Sequence, residues 1–228
     1  MNDLAIVCFS CDLNDEVWPT FMTCLDKYWP NHPVTYLFTE TLDSPLMKTI
    51  NHDFELDEWT TRIYLSLQDI PEEKVIFICD DCFLDNYVNL DKLKECYDIV
   101  NNNKNVAYVN LELSFDSNDL DCEYEGFKKK GPNSSFTLSL LCGLWDKKKL
   151  MDILNIMVCS PWHLEASQNV LNYDVYQVDK VKALSWFRDG PKQCGAKYGG
   201  RWAKTLPAFL EKEGIEMDLL KKGFNNSE

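Results

Sequence analysis

The stretch EEKVIFICDDCFLDNY, Glu72 to Tyr87, decides the fold. Val75-Ile76-Phe77-Ile78 is a continuous apolar run, the pattern of a strand buried on both faces of a sheet. It ends at two adjacent carboxylates, Asp80 and Asp81, bracketed by Cys79 and Cys82.

The same pattern recurs on either side. Leu4 to Phe9 is a second apolar run and breaks into the loop SCDLND, with a helix start near Asp15. Val17, Phe21, Cys24, Leu25 and Tyr28 then recur at helical spacing until YWPNHP stops the helix, because proline and its predecessor resist helical backbone. Val34 to Glu40 reads as a strand and WTTRIYLSLQDI as a helix presenting Trp59, Ile63 and Leu67. After the acidic pair come a helix over Leu90 to Val100 and a strand over Asn105 to Leu113. Strands alternating with helices predict an α/β, Rossmann-like fold with a mainly parallel central sheet flanked by helices.

The second half reads as a strand over Phe136 to Trp145, helices over Lys147 to Met157 and Trp162 to Asn172, and shorter strands in YDVYQV and VKALSWF. Near the end, RDGPKQCGAKYGGR, Arg188 to Arg201, is rich in glycine and basic residues, a composition suited to wrapping an anion.

At 228 residues and 45% apolar content the chain fits a single domain over residues 1–228. Its net charge of −14 disfavours a polyanionic partner such as DNA. No apolar run reaches the roughly 18–20 residues of a membrane span, and the N-terminus lacks a basic, apolar leader, so a cytoplasmic protein without a membrane span is expected. Most of the ten cysteines lie inside apolar runs, as reduced, buried thiols do.

The residues alone leave three readings of the acidic pair. One aspartate could cap the next helix, or the pair could hold a hard dication together with phosphate oxygens. Alternatively CFSC (Cys8 to Cys11) and CDDC (Cys79 to Cys82) could form a zinc site. The carboxylate reading is preferred over zinc, because Cys8 and Cys79 close apolar strands and the two pairs stand far apart in the chain. A further candidate is SPWHLE, Ser160 to Glu165: it combines a helix start, two large rings at Trp162 and His163, and a carboxylate that could act as a general base.

Taken in order, the SCDLND loop, the TE after the second strand, VIFICDDCFL, LCGLWDKKKL and SPWHLE resemble the metal-dependent nucleotide-sugar glycosyltransferases of GT-A fold. Within these the chain is similar to small bacterial and phage members of the family 2 type carrying DDxFL and SPWxxE elements. The resemblance spans Ala5 to Trp202. It implies a hexosyltransferase-like enzyme with a nucleotide-sugar half, 1–115, and an acceptor half, 116–228, ending in the basic loop. It implies Mn²⁺ or Mg²⁺ on Asp81 and Asp80, with Asp80 also touching the ribose or base. Ser10, Cys11, Asp12, Glu40 and Arg62 would line the nucleotide pocket, and Arg188, Lys197 and Arg201 would steady the leaving diphosphate. Glu165 falls where inverting members carry the catalytic base, and Trp145, Trp162 and His163 fall in the acceptor and sugar pocket. The implied donor is a nucleoside-diphosphate sugar, a UDP-sugar first. The implied acceptor is a glycan or, for phage relatives, a modified nucleobase in DNA. One departure is that Cys82 stands where the family's Asp-x-Asp has its second acid. Rival readings are a sugar nucleotidyltransferase, which would want a glycine- and lysine-rich loop after the first strand, and a non-catalytic nucleotide-sugar-binding module.

Overall fold

Strands β1 (Leu4–Phe9), β2 (Thr35–Thr39), β3 (Lys48–Asn51), β4 (Lys74–Cys79), β5 (Val106–Leu113), β6 (Leu120–Asp121), β7 (Phe127–Lys129), β8 (Cys142–Asp146) and β9 (Asp174–Val178) build one sheet in the order β3-β2-β1-β4-β8-β5-β9-β7-β6. This arrangement comes from a computed structural model that describes residues 1, 3–113, 115–190, 195–220 and 223–224.

The sheet is mixed. β1 pairs in parallel with β2 and β4, β2 with β3, and β5 with β9. β8 is antiparallel to both β4 and β5, and β7 is antiparallel to β9 and β6. The expected parallel sheet is therefore interrupted by the reversed strands β8 and β7.

Side-chain alternation along the central strands divides the core in two. Leu4, Ile6, Cys8, Ile76 and Ile78 face one layer with α1 (Trp18–Tyr28), α3 (Leu90–Asn102) and α6 (Leu206–Glu213). Ala5, Val7, Val75 and Phe77 face the other, with α2 (Trp59–Gln68), α4 (Lys147–Leu154) and α5 (Pro161–Ser167). Helix starts are set by side chains that accept the first turn's N–H groups: Asn89 from Lys92, Asp146 from Lys149 and Ser160 from His163.

The structure corrects several expectations. Residues 136–141 are not a strand, and only Cys142–Asp146 joins the sheet. The Tyr108 hydroxyl donates to the Thr137 carbonyl and accepts from the Ser139 N–H, while the Leu140 N–H goes to Glu165. Side chains thus satisfy the backbone groups that a ladder would otherwise use. VKALSWF is also not a strand: it lies along residues 83–89, with Phe187 N–H on Phe83 O and Asn89 N–H on Ala183 O.

Trp145 is a core side chain rather than a pocket ring. It is fully buried and stacks on Tyr108 with ring centroids 3.7 Å apart. Gly143 makes room for this stack, since a Cβ there would lie 2.7 Å from Trp145 Nε1 and 2.9 Å from Tyr108 Cδ2. Gly143→Ala is therefore expected to lower stability by about 1–3 kcal/mol through overpacking. Thermal denaturation followed by circular dichroism should register this as a midpoint several degrees lower.

Candidate active site

β1 and β4 lie side by side with Phe9 opposite Cys79, so the residues that follow them, Ser10 and Asp80, emerge next to each other. From β1 the chain moves outward to β2 and β3 and then returns to β4 on the other side. This is a topological switch point, where ligands of open α/β sheets collect.

The Asp80 carboxylate is buried there and held from several directions. Oδ2 accepts from the Ser10 hydroxyl at 2.6 Å and from Asn14 Nδ2 at 2.9 Å, and Ser10 Oγ in turn accepts from Trp18 Nε1 at 2.8 Å. The Lys197 ammonium stands 3.6 Å from Asp80 Oδ1, with its side chain 11% exposed. Burial works against the lysine's charge, but the Asp80 and Asp81 carboxylates outweigh it and raise its pKa.

Asp81 turns elsewhere. Its Oδ2 accepts the Lys197 backbone N–H at 2.9 Å, and its carbonyl accepts from Ala196 N–H. Gly195, at φ +83°, passes so close that a Cβ would lie 2.6 Å from Asp81 Oδ2. Burial and then the neighbouring Asp80 push the Asp81 carboxyl above its ordinary pKa.

Two cavities flank this centre. The first, of about 570 Å³, is lined by Ser10, Cys11, Asp12, Glu40, Arg62 and Asp80, with Trp59 and Trp162 among its rings. Arg62 is buried, forms an ion pair with Glu40 and donates from Nη2 to Ser10 O at 2.9 Å. Glu40 also accepts the Asp12 N–H at 2.6 Å. The Asp12 carboxylate ties this loop to the next, accepting from the hydroxyls of Thr39 and Thr41 and from the amides of Thr41 and Leu42. Burial opposes its charge, but these hydrogen bonds prevail and hold the carboxyl far below its usual range.

The second cavity, of about 800 Å³, is lined by Glu112, Lys130, Ser139, Glu165, Gln177, Arg188 and Tyr198 among others. Two elements connect it to the first. α5 carries Pro161 and Trp162 at the first cavity and Glu165 at the second. The hairpin of β10 (Lys197–Tyr198) and β11 (Arg201–Trp202) sets Lys197 against Asp80 and Tyr198 in the second cavity. The half-buried Glu165 carboxylate accepts the Leu140 N–H through Oε1 at 2.6 Å, and burial raises its pKa against that hydrogen bond.

The structure thus brings Ser10, Cys11, Asp12, Glu40, Arg62 and Asp80 together at one cavity, and holds Lys197 beside Asp80. Other residues fall differently. Trp162 is 65% exposed and lines the first cavity rather than a separate acceptor pocket. Arg188 is paired with Glu112 in the second cavity, away from the position expected for a diphosphate contact. Arg201 is exposed on the hairpin and lines neither cavity. His163 is exposed, with Nδ1 3.0 Å from Ser160 Oγ. Residues 191–194 of the basic loop, Lys192 included, lie outside the described residues. Asn14 and Trp18, which orient Asp80 and Ser10, went unread in the sequence because nothing local marks them.

Cys8 and Cys82 are packing groups, whereas Cys11 and Cys79 are half-buried and line the first cavity. Cys8 and Cys82 are fully buried, and the Cys8 and Cys79 thiols are pushed well up, by burial first and then by the adjacent aspartates. Among the described residues, Cys79, Asp80 and Asp81 form the one group whose ligand atoms, all within 4.8 Å of one another, could hold a metal ion. No described helix is long and apolar enough to cross a membrane.

Solved structures of similar fold include Staphylococcus aureus TarS residues 1–349 in complex with UDP-GlcNAc, at TM-score 0.51 and 11% identity over 86% of this chain and 62% of that one. A second structure of the same TarS fragment matches at TM-score 0.50 and 10% identity, over 80% of this chain and 60% of that one. A CMP:2-keto-3-deoxy-manno-octonic acid synthetase complexed with CTP matches at TM-score 0.51 and 10% identity, over 92% of this chain and 97% of that one. The likeness is one of fold. This chain spans about 60% of the TarS fragment's length. No family model matches the sequence, and no curated protein does.

Proposed function

We propose that this protein is a glycosyltransferase of GT-A type that moves a sugar from a nucleoside-diphosphate sugar to an acceptor hydroxyl with inversion. The observation that carries this reading is the buried Asp80 carboxylate at the switch point, with a nucleotide-sized cavity on one side and Glu165 in a second cavity on the other. Fold likeness to TarS, a glycosyltransferase, in its UDP-GlcNAc complex supports a UDP-sugar donor.

In this reading the base and ribose lie in the first cavity, against Glu40 and Arg62, with the diphosphate toward Asp80 and Lys197. The Arg62 Nε is buried without a hydrogen-bond partner and offers a donor there. Glu165 takes the proton of the acceptor hydroxyl as that oxygen bonds to the anomeric carbon and the bond from that carbon to the diphosphate breaks. The Lys197 ammonium offsets charge building on the departing phosphate oxygens.

The donor set fits a hard dication. Asp80 and Asp81 supply carboxylate oxygens of the kind Mg²⁺ or Mn²⁺ takes alongside phosphate. Cys79 adds a soft sulfur to this group, a donor that hard, oxygen-seeking ions of this kind do not favour. Asp80 and Asp81 would hold such an ion, which would supply positive charge to stabilise the leaving diphosphate.

A second reading, nucleotidyl transfer, is favoured by the near full-length likeness to the synthetase solved with CTP. It is disfavoured by the first loop, Ser10 to Asp15, which has neither glycine nor lysine. One assay separates the two: a panel of nucleotide sugars, and a panel of nucleoside triphosphates with free sugars, each with Mn²⁺ or Mg²⁺. Metal-dependent release of nucleoside diphosphate from a nucleotide sugar is the expected result. Pyrophosphate release from a triphosphate in its place would overturn the glycosyltransferase reading.

A further inference from the structure

Among the described residues, two that line the second cavity carry side-chain acceptors without a hydrogen-bond partner. Gln177 is 5% exposed, and its Nε2 donates to the Glu112 carbonyl at 2.9 Å, which fixes the amide so that Oε1 remains over. That Oε1 is buried without a hydrogen-bond partner, as is Oε1 of Glu112, and both residues line the cavity. Buried acceptors left unpaired are costly, so a ligand bringing O–H or N–H donors is favoured there.

The charges narrow the ligand further. Among the described residues, the cations that line the cavity are already engaged: Arg188 with Glu112, and Lys130 with Asp119 at 3.1 Å and with the Ser135 carbonyl at 3.1 Å. The carboxylates of Glu165 and Asp116 add negative charge to the same lining. A phosphate, sulfate or nucleic-acid backbone would meet repulsion here.

The rim carries three large exposed rings: Phe115 at 83%, Phe136 at 70% and Tyr198 at 61% exposure. Phe136 is held outward at φ +56°, a conformation that a bulky side chain adopts only when its surroundings enforce it. Aromatic faces above a bed of hydrogen-bond acceptors suit a ligand with apolar C–H faces and hydroxyl edges.

We propose that this cavity is a subsite for an uncharged saccharide, held by ring stacking on Phe136 and Tyr198 and by hydroxyl donation to Gln177 and Glu112. This deepens the glycosyltransferase reading and rests on it only for the role of Glu165 toward the bound sugar's hydroxyl. It assigns the acceptor to neutral glycans rather than to DNA.

The test is direct binding, without turnover, by saturation-transfer NMR and calorimetry. The probes are maltose, cellobiose, lactose, chitobiose and α-mannobiose, set against glucose 6-phosphate, sialyllactose, a single-stranded oligonucleotide and an unstructured peptide. At least one neutral disaccharide is expected to bind, and binding is expected to weaken at least about tenfold in Phe136→Ala and in Gln177→Leu. UDP binding should persist in Phe136→Ala, whose exposed side chain is not needed for folding. The proposal is overturned if no neutral disaccharide binds, if an anionic or peptide probe binds in its place, or if Phe136→Ala and Gln177→Leu, both folded by circular dichroism, bind as the parent does. Saccharide binding with no transfer from any donor would sustain the subsite and overturn the glycosyltransferase reading alone.

Discussion

Glu165→Gln is expected to cut turnover by roughly 10²–10⁴-fold, the usual contribution of a positioned general base, with little change in donor affinity. The substitution is conservative in shape. The amide oxygen of glutamine can still accept the Leu140 N–H that Glu165 Oε1 accepts at 2.6 Å, so the 136–141 segment keeps its anchor. Only basicity is lost. Steady-state kinetics should show kcat falling while donor KM holds, and a uniform loss of donor binding would contradict the assignment.

The direction of the Glu165 shift gives two further signatures. Burial raises the carboxyl in the folded protein, so the base is ionised only above a pKa higher than the ordinary value of about 4.3. The acid limb of kcat/KM should therefore lie above that value and vanish in the variant. For stability the sign is opposite to that of a paired carboxylate. A group whose folded pKa is raised contributes fully below its unfolded pKa, and that contribution is lost as pH rises through the folded one. Once ionised, Glu165 thus works against folding, and above its folded pKa the Glu165→Gln variant should melt at or above the parent's temperature. An active-site carboxylate whose removal costs activity but not stability is distinguishable from a structural one.

Asp80→Asn is expected to do both kinds of damage. The asparagine can keep a hydrogen bond to Ser10, but the Lys197 ammonium, 3.6 Å away and 11% exposed, loses its nearest countercharge. Breaking a buried pair from one side costs about 3–5 kcal/mol when nothing replaces the charge. Asp81 remains near Lys197, which puts the expected loss at the low end, about 3 kcal/mol, or a midpoint lower by roughly 6–12 °C in a chain of this size. Mn²⁺-dependent donor affinity should fall by at least about 100-fold, more than the loss typical of residues that only support a ligand. The double variant Asp80→Asn with Lys197→Met separates the effects: removing the stranded cation should restore much of the stability and none of the donor affinity. Donor affinity returning with stability would mean that Asp80 acts only as a structural partner of Lys197.

The fold was legible wherever burial is uniform along a strand. β1 and β4 announce themselves as unbroken apolar runs because both their faces are covered, while α1 is bounded by its proline stop and α5 by the helix start at Ser160. β3 was not legible. Lys48–Asn51 is a half-exposed edge strand, and such a strand needs no apolar pattern. Phe136 to Leu141 misled for the opposite reason. Its apolar residues are genuine core or rim groups, but its backbone hydrogen bonds go to Tyr108 and Glu165. Trp145 was placed in a pocket by the resemblance alone, and no local pattern in the sequence shows that it instead stacks on Tyr108 in the core.

By itself the sequence determined that two apolar strands end in polar, acidic loops, and hence that Ser10 and Asp80 stand at the rim of a buried sheet. Patterning along a few consecutive residues is enough for that. Only the tertiary structure decided which of two adjacent carboxylates faces the cavity. Both lie in the turn that follows β4, where Asp80 meets Ser10 and Asn14 while Asp81 is held by a segment 116 positions further on. It also decided that Lys197 supplies the positive charge beside Asp80, and that Gln177 and Glu112 leave acceptors unpaired in a second cavity. Contacts between such distant positions depend on how the chain closes on itself, and closure over long separations leaves no periodic trace in the residues that take part.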